Sequence, residues 1–239
     1  MIHWLSSRFF FPLAALSAVA ILLLGAWQLL VGPWPGPRLD WNLFLAWVPY
    51  LVALAAVAVQ QRRPESAWLF WLIVASWLSF FPNAPYLVTD WRYLPGWTDE
   101  LWYSVVMMTT FSLCGLFLTG TSLYLIQTLV AVRTSRSLGY LTATTALVLS
   151  GLGVYLGRFI RLNSWDFVTA PAMVFNDIAA SFQAQTNHLG PIGFSLLFTL
   201  MLGAFYFAFL QVRHSHWSRE ELHVWESPVG SFPVRHARG

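Results

Sequence analysis

Six stretches of this chain carry no Asp, Glu, Lys or Arg for 21 residues or more: Phe9–Pro37, Trp41–Gln61, Ser66–Thr89, Leu101–Val132, Ser137–Gly157 and Ile178–Val212. A helix rises 1.5 Å per residue, so about 20 apolar residues cross a hydrocarbon core of about 30 Å. Each stretch is long enough for one crossing. The runs are continuously apolar and do not alternate, which argues against membrane β-strands. In lipid, a helix satisfies its own backbone polar groups. The expected fold is an all-α integral membrane protein, a bundle of six transmembrane helices with short loops and an outer interfacial helix. The apolar cores are Phe9–Val31, Trp41–Val59, Ala67–Phe81, Leu101 towards Val132, Leu138–Phe159 and Pro191–Val212. They give a transmembrane domain over 1–212 and a tail over 213–239.

Composition closes off other classes. Charged residues make up 10% of the chain, against roughly a quarter in a soluble domain. That excludes an ordinary soluble enzyme, a disordered chain and a nucleic-acid binder built on a basic patch. The single cysteine, Cys114, excludes intramolecular disulfides and multi-cysteine metal sites. The first span is too long for the apolar region of a cleaved signal peptide, and Ala18-Val-Ala20 is followed by more leucine.

All 13 basic residues are arginines, and their distribution sets an expected orientation. Arg8, Arg62, Arg63, Arg133, Arg136, Arg213, Arg219, Arg235 and Arg238 fall on the N-terminal side. Arg38, Arg92, Arg158 and Arg161 fall on the other. The arginine-rich side is expected to be cytoplasmic, with both termini inside. Trp27, Trp34, Trp41, Trp91, Trp97, Trp102 and Trp165 gather near the outer side, as an aromatic belt would.

The loops add less. Gly32–Asp40 contains Gly-Pro-Trp-Pro-Gly-Pro and is expected to be a stiff turn. Within Arg161–Gly190, Val174, Ile178 and Phe182 share one helical face, so Ala172–Phe182 is either an interfacial or a plain connecting helix. In the tail, Ser218-Arg-Glu-Glu221 is a capping-box pattern for a short helix through Trp225. His214, His216 and His223 lie close in sequence, yet a solvated tail suits them better than a metal site. No metal and no cofactor is expected.

Two polar cassettes interrupt this pattern where spans 3 and 5 reach the outer side. The first is Phe81-Pro-Asn-Ala-Pro-Tyr-Leu-Val-Thr-Asp-Trp-Arg92. Pro82 and Pro85 lack N–H donors and interrupt the helix, and Asn83 offers both donor and acceptor to the freed backbone. The second is Gly157-Arg-Phe-Ile-Arg-Leu-Asn-Ser-Trp-Asp166. Arg158 and Arg161 share a helical face; Asn163, Ser164 and Asp166 look like a helix stop and a new cap. Six spans bring both cassettes to one side, where Asp90 and Asp166 can meet Arg92, Arg158 and Arg161. Ionisable groups at that depth are costly and point to function. Paired arginines suit an anion such as a phosphate. Ser164, Asp177 and His188 match no nucleophile–base pattern, so no reaction is assigned.

These cassettes, with Asn42-Leu-Phe-Leu-Ala-Trp47, resemble a bacterial multi-pass membrane family known as domain of unknown function 1361. The resemblance runs roughly from Trp41 to Val212 and departs at Tyr93, where the family often carries His. It implies a bacterial inner-membrane protein and no particular activity. Two readings stay open. Either Asn83, Asp90, Arg92, Arg158, Arg161, Asn163 and Asp166 bind an anionic lipid or small anion of the envelope and act on it or move it, or the charges are ion pairs that lock helices in a structural or accessory membrane subunit.

Overall fold

The computed structural model describes residues 2–94, 99–160, 172, 173, 176 and 190–215, the first seven and last three of these by backbone alone. The helices are α1 (Ile2–Leu30), α2 (Leu39–Arg62), α3 (Ala67–Phe80), α4 (Asn83–Tyr86), a 3-10 helix (Leu87–Tyr93), α5 (Leu101–Arg133), α6 (Arg136–Tyr155), a π-helical turn (Leu156–Ile160) and α7 (Pro191–Ser215). Among the described residues there is no strand. Six segments are long and apolar enough to cross a membrane: Phe9–Leu30, Leu39–Arg62, Ala67–Tyr93, Leu101–Arg133, Arg136–Ile160 and Pro191–Val212. The chain is a multi-pass, all-α membrane protein. The interfacial helix expected over Ala172–Phe182 and the tail helix through Trp225 lie largely or wholly outside the described residues.

Helix α5 is the axis of the bundle. Every residue from Leu118 to Ile126 is buried, as expected of a helix apolar on all sides. Helices α1, α2 and α6 pack on it, α3 packs on α2, and α7 packs on α6. Apolar side chains such as Phe11, Leu22, Leu29, Trp68, Trp102 and Leu200 point away from the bundle. A soluble protein would not leave so much apolar surface bare; lipid covers it at no cost.

Most threonine hydroxyls in the spans are matched on their own helices. Thr109, Thr110, Thr119, Thr121 and Thr142 each donate to the carbonyl four residues back. They line no polar path, because their hydroxyls are spent on their own helices. Three helices share one mid-span link: the Trp47 indole N–H donates to Ser17 Oγ at 3.0 Å, and the Ser17 hydroxyl faces Cys114 Sγ at 3.9 Å. At the C-terminal end of α5 Arg133 donates to Gln60 Oε1 at 2.6 Å and sits 4.9 Å from the centre of the Phe70 ring. Nearby, the Tyr206 hydroxyl donates to Gln127 Oε1 at 2.6 Å.

At the opposite end of the bundle the chain leaves α1 through Gly32, whose φ of 129° suits a residue without a side chain. Its N–H bonds the Trp27 carbonyl at 3.2 Å, closing the helix. The turn behind it is held by Trp34, packed edge-on to Trp27 with centroids 5.3 Å apart. Gly25 and Gly203 are helical glycines with no atom within 4 Å of a built Cβ. Gly25→Ala and Gly203→Ala should therefore each stabilise the protein by about 0.5–1 kcal/mol, seen as a raised thermal unfolding midpoint in detergent.

Candidate functional site

The site is built where α3 gives way to α4. Pro82 and Pro85 have no N–H, so the hydrogen-bond ladder fails there. The backbone does not turn away: Phe81 (φ −55°, ψ −38°) and Pro82 (φ −60°, ψ −21°) remain right-handed. Ala84 N–H bonds the Phe81 carbonyl and Tyr86 N–H bonds the Pro82 carbonyl, both at 3.2 Å. The span thus continues as one turn of α4 and then as a 3-10 helix. With three residues per turn, Leu87, Asp90 and Tyr93 fall in one row, and Thr89 and Arg92 in the next. Leu87 and Asp90 are both buried.

Two glycines grip this segment. A Cβ on Gly115 of α5 would stand 2.5 Å from the Ala84 carbonyl oxygen and 2.9 Å from Leu87 Cβ. A Cβ on Gly153 of α6 would meet Pro82 Cγ at 3.0 Å. Beyond Tyr155, α6 widens into the π turn, a rare geometry that often marks functional sites. It sets Arg158 inward, 7% exposed, and leaves Phe159 outward at 48%.

Asp90 and Arg158 meet at the centre. Arg158 Nη2 donates to Asp90 Oδ1 at 2.5 Å, and the side chains of Arg158 and Asp90 are 4% and 0% exposed. The same guanidinium donates to Thr89 Oγ1 through Nε at 2.9 Å and Nη2 at 2.7 Å. Thr89 has a proton to spare, which it donates to the Tyr86 carbonyl at 2.6 Å. Asn42 Nδ2 of α2 donates to the other aspartate oxygen at 3.0 Å. Two tyrosines flank the cation, with Arg158 Cζ 4.1 Å from the Tyr86 ring centre and 5.4 Å from that of Tyr93. A buried ion pair offsets its desolvation only when its remaining polar atoms are matched, and here both aspartate oxygens have partners.

Around this centre the 3-10 helix and the π turn exchange partners. Tyr93 faces Arg158, while Arg92 Cζ lies 5.8 Å from the centre of the Phe159 ring. Each strip contributes one cation and one ring, in opposite order. Trp91 ties the 3-10 helix to α5, its indole N–H donating to Ser112 Oγ at 2.9 Å.

The residues singled out in the sequence are thus distributed unevenly. Asp90 and Arg158 come together. Arg92 lies on the rim, exposed, with no carboxylate partner among the described residues. Asn83 opens α4, half-buried, and is not part of the Asp90 network. Arg161, Asn163 and Asp166 lie outside the described residues. Asn42, Thr89, Tyr86 and Tyr93 belong to the centre without having been singled out, although Asn42, Tyr86 and Thr89 stand in the cassettes and motif quoted above.

A second feature, at the same end of the bundle, is separate from this centre. A cavity of about 500 Å³ opens between α1, the turn and α2, lined by Leu24, Gln28, Trp34, Arg38 and Asp40 among others. Its one charge pair neutralises itself: Arg38 Nη2 donates to Asp40 Oδ2 at 2.8 Å, and this bond raises the Arg38 pKa. Among the described residues no group of His, Cys, Asp and Glu is arranged to hold a metal.

A family model described as "Protein of unknown function (DUF1361)" matches residues 41–205. No curated protein and no solved structure matches the chain.

Proposed function

The chain belongs to the DUF1361 family, whose function is unknown, and from that premise we propose that it binds an anionic molecule of the cell envelope at the outer end of its bundle. In this reading it is a bacterial cytoplasmic-membrane protein with residues 1–212 in or at the membrane. Both termini and the tail 213–239 lie in the cytoplasm, and the site faces outward. Arg92 and Arg161 contact the anion. Arg158, its charge already balanced by Asp90, fixes the surrounding elements. Asn83, Asn163 and Asp166 complete the polar rim.

One observation carries this reading. Of the outer arginines among the described residues, Arg38 faces Asp40 and Arg158 faces Asp90, whereas Arg92 is exposed and faces no carboxylate. An exposed guanidinium near the membrane, with no counter-charge among the described residues, is a ready partner for a phosphate or carboxylate. The test compares retention of dioleoylphosphatidylglycerol and dioleoylphosphatidylcholine by the purified chain, read by native mass spectrometry. Wild type should prefer the anionic lipid. Arg92→Gln with Arg161→Gln should lower that preference about tenfold or more, the worth of a charged hydrogen bond, without moving the unfolding midpoint. An unchanged preference would overturn the reading.

A second reading, an accessory subunit whose ion pair only locks helices, is favoured by the near-complete enclosure of Arg158. Under it, the arginine substitutions leave lipid preference and cellular function intact. Orientation has its own test. In a Cys114→Ala background, Asp99→Cys should react with an impermeant maleimide on intact cells, and Ser135→Cys should not. Both positions are exposed at opposite ends of α5. The reverse labelling pattern would turn the site inward.

A further inference from the structure

Beside Arg92 begins a run of stacked rings that the Asp90 centre does not use. Phe159 stacks on Tyr155 with centroids 4.9 Å apart and meets Phe194 of α7 edge-on at 5.0 Å. Phe194 in turn stacks on Phe198 at 5.6 Å, one turn further along α7. Phe159 is exposed, Tyr155 and Phe194 are half-buried, and Phe198 backs them from inside. The rings brace one another, so the strip stands ready-formed. Its neighbour Leu197, three residues on from Phe194 along α7, is 55% exposed, which opens the strip sideways.

The cation at its head, Arg92, lies over the first ring, its Cζ 5.8 Å from the Phe159 centre. A ring contact occupies the face of a guanidinium; its N–H donors lie in the plane and remain available. Arg92 has no carboxylate partner among the described residues. A phosphate accepts such in-plane donors two at a time. An anionic head with an apolar chain satisfies both halves of the feature at once; a free anion would leave the ring strip without purpose.

Building on the anion-binding reading above, we infer that the strip from Arg92 across Phe159, Tyr155 and Phe194 is a lateral docking groove for a single phosphate-bearing membrane lipid. The phosphate rests on Arg92 at the membrane surface. The first part of an acyl chain lies on the rings between α6 and α7. Entry is from the bilayer, sideways, and needs no opening of the bundle.

The test measures binding of three probes to the purified full chain: dioleoylphosphatidylglycerol, dioleoylphosphatidylcholine and glycerol 3-phosphate. Wild type should hold the first at least tenfold tighter than either other probe. Phe159→Ala should weaken phosphatidylglycerol binding about tenfold, Phe159→Leu less, and neither should alter the response to glycerol 3-phosphate. Phe159 is half in the open, so the unfolding midpoint, measured alongside, should move little. If Arg92→Gln weakens both anionic probes while Phe159→Ala changes nothing, the lipid groove is wrong and the anion site survives. Should Arg92→Gln leave every probe unchanged, both fall. Equal binding of the choline lipid would overturn the requirement for an anionic headgroup.

Discussion

Asp90→Leu should cost about 3–5 kcal/mol of stability, the largest loss expected from any single side chain in the bundle. Among the described residues, the substitution leaves the Arg158 guanidinium, 4% exposed, with Thr89 as its remaining acceptor and no counter-charge. It also orphans the Asn42 amide, which donates to Asp90 alone at 3.0 Å. Arg158→Met should be nearly as harmful, since it strands the carboxylate. The double variant Asp90→Leu/Arg158→Met should recover most of the loss, because a well-packed apolar pair of similar volume replaces an ion pair at little or no cost. The measurement is reversible unfolding in mixed micelles, with the two single variants and the double forming one thermodynamic cycle. Additive effects would show that the two residues do not act as a unit.

Gly115→Ala is the second large effect. One methyl group placed there would stand 2.5 Å from a backbone carbonyl and 2.9 Å from Leu87 Cβ. Neither neighbour is the free end of a flexible chain, so α4 must move off α5. We expect about 1–3 kcal/mol of destabilisation, against a helix propensity that favours alanine by up to about 1 kcal/mol. The same mutation at Gly203, with open space around it, should have the opposite sign. Because α4 carries the 3-10 helix and Asp90, Gly115→Ala should also disturb the site. Loss of phosphatidylglycerol preference in this variant, beside its retention in Gly203→Ala, would show that helix contact at Gly115 sets the site's geometry.

Much of the architecture was legible because charge is so costly in lipid that its absence marks each span. The spans begin and end close to where the charges do: α2 runs to Arg62 and α5 to Arg133. The prolines at 82 and 85 announced the interruption of span 3, though not that the backbone would stay right-handed through it. The ion pair was legible only as a set of possible partners, since topology brings Asp90 near several arginines without choosing one. Asn42 was hidden. It is neutral, lies in an apolar run and acts across a sequence gap of 48 residues. Thr89 stood in the first cassette with no role given to it, and only the structure shows its oxygen taking two bonds from Arg158. The π turn had no signature either, because it differs from the α-helix by one hydrogen-bond register that packing against the 3-10 helix decides.

The Asp90–Arg158 pair also sets an order on synthesis. Asp90 leaves the ribosome 68 residues ahead of its partner. At about 5–20 residues per second, roughly 3–14 s pass in which span 3 carries an uncompensated carboxylate. For that time the acidic end of the span belongs at the water boundary, beside the translocon, and only the arrival of span 5 allows it to settle against α2 and α5. The Asp90 end of span 3 can therefore take its final packing only once span 5 supplies the matching charge.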